Sequence, residues 1–175
     1  NEAPVEIADH SSLDFGTGDF SICFWMMQPS VSDNSSTKIC MKKLSDSNSQ
    51  DTGFTIQFNG TGLRSTIWDG NSGAYLGISD IFLNDNRWEH FALIYDRNVN
   101  LSVYVDGVLK GIDTDLATHA DSIDNSNTFD IGYYNDTNYL KAYMCNFGIW
   151  KGEALTQAQI KSIMWKNYAG LTSSE

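Results

Sequence analysis

Apolar and polar positions alternate with period two through most of this chain, and the longest such run is Trp88-Glu89-His90-Phe91-Ala92-Leu93-Ile94-Tyr95. Trp88, His90, Ala92 and Ile94 fall on one face of an extended segment and Phe91, Leu93 and Tyr95 on the other. Both sets are largely apolar, which predicts a strand covered on both sides. Asp96-Arg97-Asn98 then supplies turn chemistry, and Leu101, Val103 and Val105 form one face of a second strand. Asp106-Gly107 is a two-residue hairpin signal because both positions tolerate positive φ, so residues 108–112 are the returning strand.

The same pattern predicts strands at 5–7, 20–28, 38–44, 54–58, 63–68, 74–78, 128–133 and 140–150. In the second of these, Phe20, Ile22, Phe24 and Met26 share one face and Cys23, Trp25 and Met27 the other, which makes it central too. Trp25, Trp88 and Trp150 are expected in the core. Residues 112–126 carry Asp113, Asp115, Asp121 and Asp124 with few apolar side chains and read as loop. The tail alone reads as helix, over 156–168. Thr156 is placed as N-cap with Gln159 as its capping-box partner, Leu155 and Ile160 occupy the staple positions, and Ile160, Ile163, Met164 and Tyr168 share a face. Gly170 follows as a stop.

A family resemblance rests on Trp88-Glu89-His90 with its apolar run to Tyr95-Asp96, and on Val103-Tyr104-Val105-Asp106-Gly107. Further segments that carry it are Gly18 to Trp25, Phe129-Asp130-Ile131-Gly132, and Tyr143 to Trp150 before Ala154-Leu155-Thr156. These segments resemble the laminin G-like and concanavalin A-like lectin and glucanase jelly rolls. The resemblance implies an all-β sandwich of two antiparallel sheets with one short C-terminal helix.

The length, 175 residues, suits one domain spanning 1–175, read here as excised from a larger protein. The formal net charge of -11 argues against nucleic acid as a partner, because phosphate backbones would be repelled. No apolar run is long enough to insert into a bilayer. Cys23, Cys40 and Cys145 are an odd number at no metal-ligand spacing. They read as free buried thiols, with a Cys23–Cys40 or Cys23–Cys145 bridge as the alternative.

Catalysis has little foothold. Glycoside hydrolysis needs a pair of carboxylates flanking the bond, and the only same-face acid pair on a strand end, Asp113 and Asp115, sits where a turn places Asp in any case. His10, His90 and His119 are far apart, and no nucleophile elbow is present. The chain therefore reads as non-enzymatic.

Sugar binding needs aromatic platforms beside hydrogen-bonding side chains. Trp68, Asp69, Asn71 and Tyr75, and Tyr133, Tyr134 and Tyr139, offer that combination at strand ends. Calcium is the remaining candidate, since it takes loop oxygens. Asp46, Asn48 and Asp51 lie in one suitable loop and Asn135 and Asp136 in another. The pair looks like the arrangement in pentraxins, which implies that the two loops meet at one end and share the ion. Tyr133 and Tyr134 depart from that pattern, which has polar residues just after Gly132.

The expected function is a non-catalytic recognition module for carbohydrate or cell-surface glycan, at loops on one end or on the concave face, on an extracellular or virion surface. The resemblance extends to phage fibre modules through Lys151 to Thr156. The rival reading is a structural module that makes contacts with neighbouring subunits and binds no ligand.

Overall fold

A computed structural model describes residues 5–29, 37–43, 51–59, 62–71, 73–78, 86–134 and 138–172, with the backbone alone at 59, 73–78, 134, 138 and 168. The strands are β1 (Val5–Ile7), β2 (Phe20–Met27), β3 (Lys38–Lys42), β4 (Thr52–Asn59), β5 (Gly62–Asp69), β6 (Gly73–Ile78), β7 (Trp88–Asp96), β8 (Asn100–Val105), β9 (Val108–Asp113), β10 (Phe129–Ile131), β11 (Tyr133–Tyr134), β12 (Asn138–Tyr139) and β13 (Tyr143–Lys151). They form a six-stranded sheet, β1-β10-β3-β4-β5-β6, and a five-stranded sheet, β13-β2-β7-β8-β9, with β11 and β12 as a separate hairpin. Every pairing is antiparallel. The fold is a jelly-roll sandwich.

The alternation read from the sequence assigns the faces. Phe20, Ile22, Phe24 and Met26 of β2 and Phe91, Leu93 and Tyr95 of β7 point between the sheets, against Ile39, Phe54, Ile56, Phe58, Leu63 and Ile67 of the facing sheet. Phe20 stacks between Phe15 and Tyr95 at centroid distances of 4.2 and 4.0 Å. The Tyr95 hydroxyl, buried in this aromatic layer, is satisfied by Ser65 Oγ at 2.6 Å, so the one polar atom of the stack becomes a tie between sheets.

The opposite faces of the same strands carry Cys23, Ala92 and Ile94, which are buried beneath Leu155, Ile160 and Ile163. Those residues flank and form α1 (Gln157–Ile163), which opens with the Thr156–Gln159 capping box. Ser21 Oγ donates to Glu153 O and accepts from Leu155 N, seating the chain just ahead of the helix.

The helix is shorter than the 156–168 predicted. Its ladder ends because Met164 O accepts from Trp25 Nε1 at 2.6 Å and Lys166 N turns back to Ile163 O. A 3₁₀ turn at Tyr168–Gly170 follows. The 112–126 loop packs tightly, with Leu116 and Ile123 in the core. Asp106 and Gly107 have φ of 50° and 70°, giving the type I′ hairpin expected.

The cysteines divide. Cys23 and Cys40 are buried and free, but Cys145, expected to be buried, is exposed on the edge strand β13. Burial pushes the Cys23 and Cys40 thiols well up from their ordinary value, holding them protonated and unreactive. Under native conditions a polar thiol reagent should label Cys145 alone, with Cys23 and Cys40 reacting only after unfolding. Rapid native labelling of Cys23 would show that α1 does not cover β2.

Candidate functional site

Among the described residues a cleft lies away from the strand-end loops. It opens on the outer face of the five-stranded sheet, between that face and the segment running out of α1, with a volume of about 740 Å³. Its floor is Cys23, Trp25 and His90, its far wall is Asn146 to Trp150 of β13, and its near wall includes Met164, Lys166, Asn167 and Thr172. A second hollow of about 560 Å³ lies on the other side of Trp25, bounded by Arg87, Trp88, Asp106, Lys161, Met164 and Trp165. Trp25 and Met164 line both. The two adjoin as a trough divided by the Trp25–Met164 contact.

Each wall has a local cause. The register of β13 against β2 shifts between Cys145 and Gly148, and Asn146 within that bulge has φ of 50°. The bulge turns Asn146 outward into the cleft. A Cβ on Gly148 would stand 2.7 Å from the Trp150 ring, so only glycine lets that indole lie against the strand. Trp25 is fixed by its bond to Met164 O, meets His90 edge-on at 5.4 Å and tilts against Trp165 at 4.9 Å. Trp165 is 76% exposed and Trp88 40% exposed.

Sequence reasoning missed this constellation. Trp88 was expected in the core and Trp25 and Trp150 with it. Instead Trp88, at the first position of β7, lies beyond the reach of α1, and Trp25 and Trp150 are only half-buried. The available signal was Trp165, which falls off the Ile160, Ile163, Met164 face and so is not among the side chains that bury the helix.

His90 floors the cleft. Its backbone N–H donates to Asp106 Oδ1 at 3.0 Å, and Arg87 Nη2 donates to Asp106 Oδ2 at 2.9 Å. The Nδ1 atom of His90 is buried without a hydrogen-bond partner. Burial pushes this imidazole down to about 4, against the smaller upward pull of the Asp106 carboxylate. It is therefore neutral near pH 7.

The residues expected to bind ligand are split by the topology. Trp68, Asp69 and Asn71 sit at the end that carries Arg97. Trp68 is buried with Lys43 Nζ 4.5 Å from its ring centroid, Asp69 lies 3.8 Å from His119 Nδ1, and Asn71 Nδ2 donates to Asp121. Trp68 is thus a buried ring with a lysine over it, where an exposed platform was expected. Tyr75 pairs with Thr66 on the edge strand β6, its backbone alone being described. Tyr133 and Tyr139 face each other across β11 and β12 with rings 5.7 Å apart, half-buried, and Tyr134 pairs with Asn138. They lie at the end opposite Trp68.

The same topology bears on where the two loops expected to share calcium begin. Strand β10 runs antiparallel to β3, with Ile131 opposite Cys40 and Gly132 N bonded to Ile39 O. The loop after Lys43 therefore departs from one end of β3 and the segment after Gly132 from the other. Asp46, Asn48, Asn135 and Asp136 lie outside the described residues. Asp51, which is described, lies 3.8 Å from Lys43 Nζ.

A family model for laminin G-like members of the concanavalin A-like lectin/glucanases superfamily matches residues 1–161. The chain belongs to that superfamily. No curated protein matches it closely enough to count as a relative. Among solved structures it is similar to the binding domain of botulinum neurotoxin serotype G, at 21% identity and a TM-score of 0.72 over 90% of this chain and 39% of that one. It is also similar to the binding domain of Paraclostridial Mosquitocidal Protein 1, at 17% identity and a TM-score of 0.74 over 93% and 41%. A third is from botulinum neurotoxin type C, whose cell entry depends on interaction with two ganglioside molecules, at 18% identity and a TM-score of 0.68 over 91% and 38%. The chain thus spans about two fifths of these solved chains. The superfamily match ends at residue 161, so Trp165, Lys166 and Asn167 form a wall beyond the matched fold.

The unfolded histidine titrates near 6.5 and His90 in the native fold only near 4. Across that window the unfolded chain binds a proton that the native chain does not, so the His90 contribution is complete above pH 6.5 and is lost as pH falls towards 4. His90→Gln should show a smaller drop in melting temperature than the parent between about pH 7 and about pH 4.5. An equal drop in both would place His90 in contact with water.

Proposed function

We propose that this chain is a non-catalytic carbohydrate-recognition module that holds a glycan in the tryptophan trough on the outer face of its five-stranded sheet. The observation that carries the reading is the exposure of Trp165 and Trp88 on either side of a fixed Trp25. Large apolar rings left in water cost hydrophobic free energy, and a pyranose, apolar on its ring faces and polar at its rim, is a ligand that would cover them. Asn146 and Asn167 supply hydrogen-bonding groups along the adjoining walls.

The superfamily supports the reading, because concanavalin A-like folds include lectins, and so does the printed dependence of a similar toxin on gangliosides. Fold alone would not suffice, since one scaffold hosts many activities. Among the described residues no helix is long and apolar enough to cross a membrane. A module that meets its glycan at a cell surface fits these features.

A second reading, a contact module between subunits, is favoured by the edge strand β9, where Val108, Leu109 and Ile112 are all exposed. Sizing chromatography separates the two: a stable oligomer disrupted by Leu109→Lys supports it.

A glycan array followed by titration of tryptophan fluorescence tests the main reading. Trp165→Ala should weaken binding at least about tenfold, or ~1.4 kcal/mol. Its melting temperature should hardly move, because surface substitutions change stability by about 0.5 kcal/mol or less. Tyr139→Ala, on the β11–β12 hairpin, should leave affinity unchanged. Loss of binding in Tyr139→Ala with full binding in Trp165→Ala would move the site to the tyrosine pair, and a silent array would retire the glycan reading.

A further inference from the structure

The outer hollow has more cations than carboxylates in its lining. We propose that the outer hollow, between Trp88 and Trp165, is an anion-selective subsite that takes a carboxylate-bearing sugar residue, an inference that rests on the trough holding a glycan. Two cations line it, Arg87 and Lys161, against the single carboxylate of Asp106. Both oxygens of that carboxylate are engaged, Oδ1 by His90 N at 3.0 Å and Oδ2 by Arg87 at 2.9 Å. Among the described residues Lys161 makes no ion pair.

Lys161 is also held in place. Its Cγ and Cε would lie 2.9 and 3.3 Å from a Cβ built on Gly107, so its stem is laid along the Asp106–Gly107 hairpin. Gln157, one helical turn earlier, donates from Nε2 to Gly107 O at 2.8 Å and fixes the helix to the same hairpin. The ammonium therefore hangs over the hollow from a stem with little freedom left to lose.

This local excess of positive charge stands in a chain of net charge -11 whose Lys38, Lys42, Lys43 and Arg97 are all buried. The distinction survives in salt because ions screen charges beyond about 8–10 Å, leaving the hollow governed by its own lining. A carboxylated pyranose matches it on two counts: its ring face meets an indole while its carboxylate meets Lys161. An anionic bilayer matches less well, because the acidic remainder of the surface would be repelled and the two indoles flank a recess.

The test uses the full chain and matched probe pairs, sialyllactose against lactose and glucuronate-containing against neutral oligosaccharides, titrated at about 0.05 M and about 0.5 M salt. The carboxylated member of a pair should bind about tenfold more tightly at low salt. That advantage should fall to about twofold or less at high salt and in Lys161→Gln, and reverse in Lys161→Glu. Trp165→Ala should weaken both members together. Equal or tighter binding of the neutral members overturns the anion subsite while leaving the glycan reading in place, as does an advantage untouched by Lys161→Gln. Absence of all sugar binding overturns both. Binding to phosphatidylserine vesicles without sugar binding would assign the hollow to lipid headgroups and overturn the proposal equally.

Discussion

The architecture depends on one constraint, that β2 and β7 lie side by side and are dry on both faces. Either strand turned to water on one side would expose a row such as Cys23, Ala92 and Ile94, so something must cover the outside of the sheet as the second sheet covers the inside. Helix α1 does this, and the rest of the molecule arranges itself around the requirement. The capping box sets where the helix begins, Ser21 ties its leading segment to the strand beneath, and Trp25 stops its last turn. A seven-residue helix is far too short to be stable alone. It exists because it buries Ile160 and Ile163.

The trough follows from that shortness. Helix α1 covers the middle of the outer face and is tied to the Asp106–Gly107 hairpin, and β7 begins at Trp88, past the Phe91–Val105 pair beside that hairpin. There Trp25 and Trp88 stand on the continuation of the row that the helix hides elsewhere. An aromatic row is uncovered where the clasp runs out, so a binding surface arises with no loop built for it.

At the opposite end the strands are closed by buried polar groups. Arg97, almost wholly buried, donates to Gly16 O, His119 O and Asp121 O, while its own backbone N–H meets Asp19. Lys42 is held by Asp9 and Asp14, and Asn125 Nδ2 bridges the carbonyls of Lys42 and Thr52. Removing a buried cation of this kind leaves its acceptors unsatisfied at a cost of about 3–5 kcal/mol, whereas the intact set adds little net stability. The contribution of these knots is geometric. They hold the long loop from Asp113 against the sandwich and leave the acids there already engaged, which separates this end from the trough.

Local patterns in the sequence determined the strands, the faces of β2 and β7, the I′ hairpin and the helix cap, because period-two alternation, Asp-Gly and Thr-x-x-Gln act within a few residues. The jelly roll was legible in the same way, through segments that repeat a known arrangement. Which tryptophans would be buried was not. Trp88 and His90 have the same parity on one strand, yet one is exposed and the other buried, since that depends on how far α1 reaches across neighbouring strands. Nor could spacing reveal that β10 runs antiparallel to β3, so that the chain leaves Lys43 and Gly132 at opposite ends of the pair, where the resemblance to pentraxins had implied that the following loops meet. Sequence decides which face a side chain takes; only the tertiary structure decides what stands in front of that face, because coverage is a contact between segments far apart in the chain.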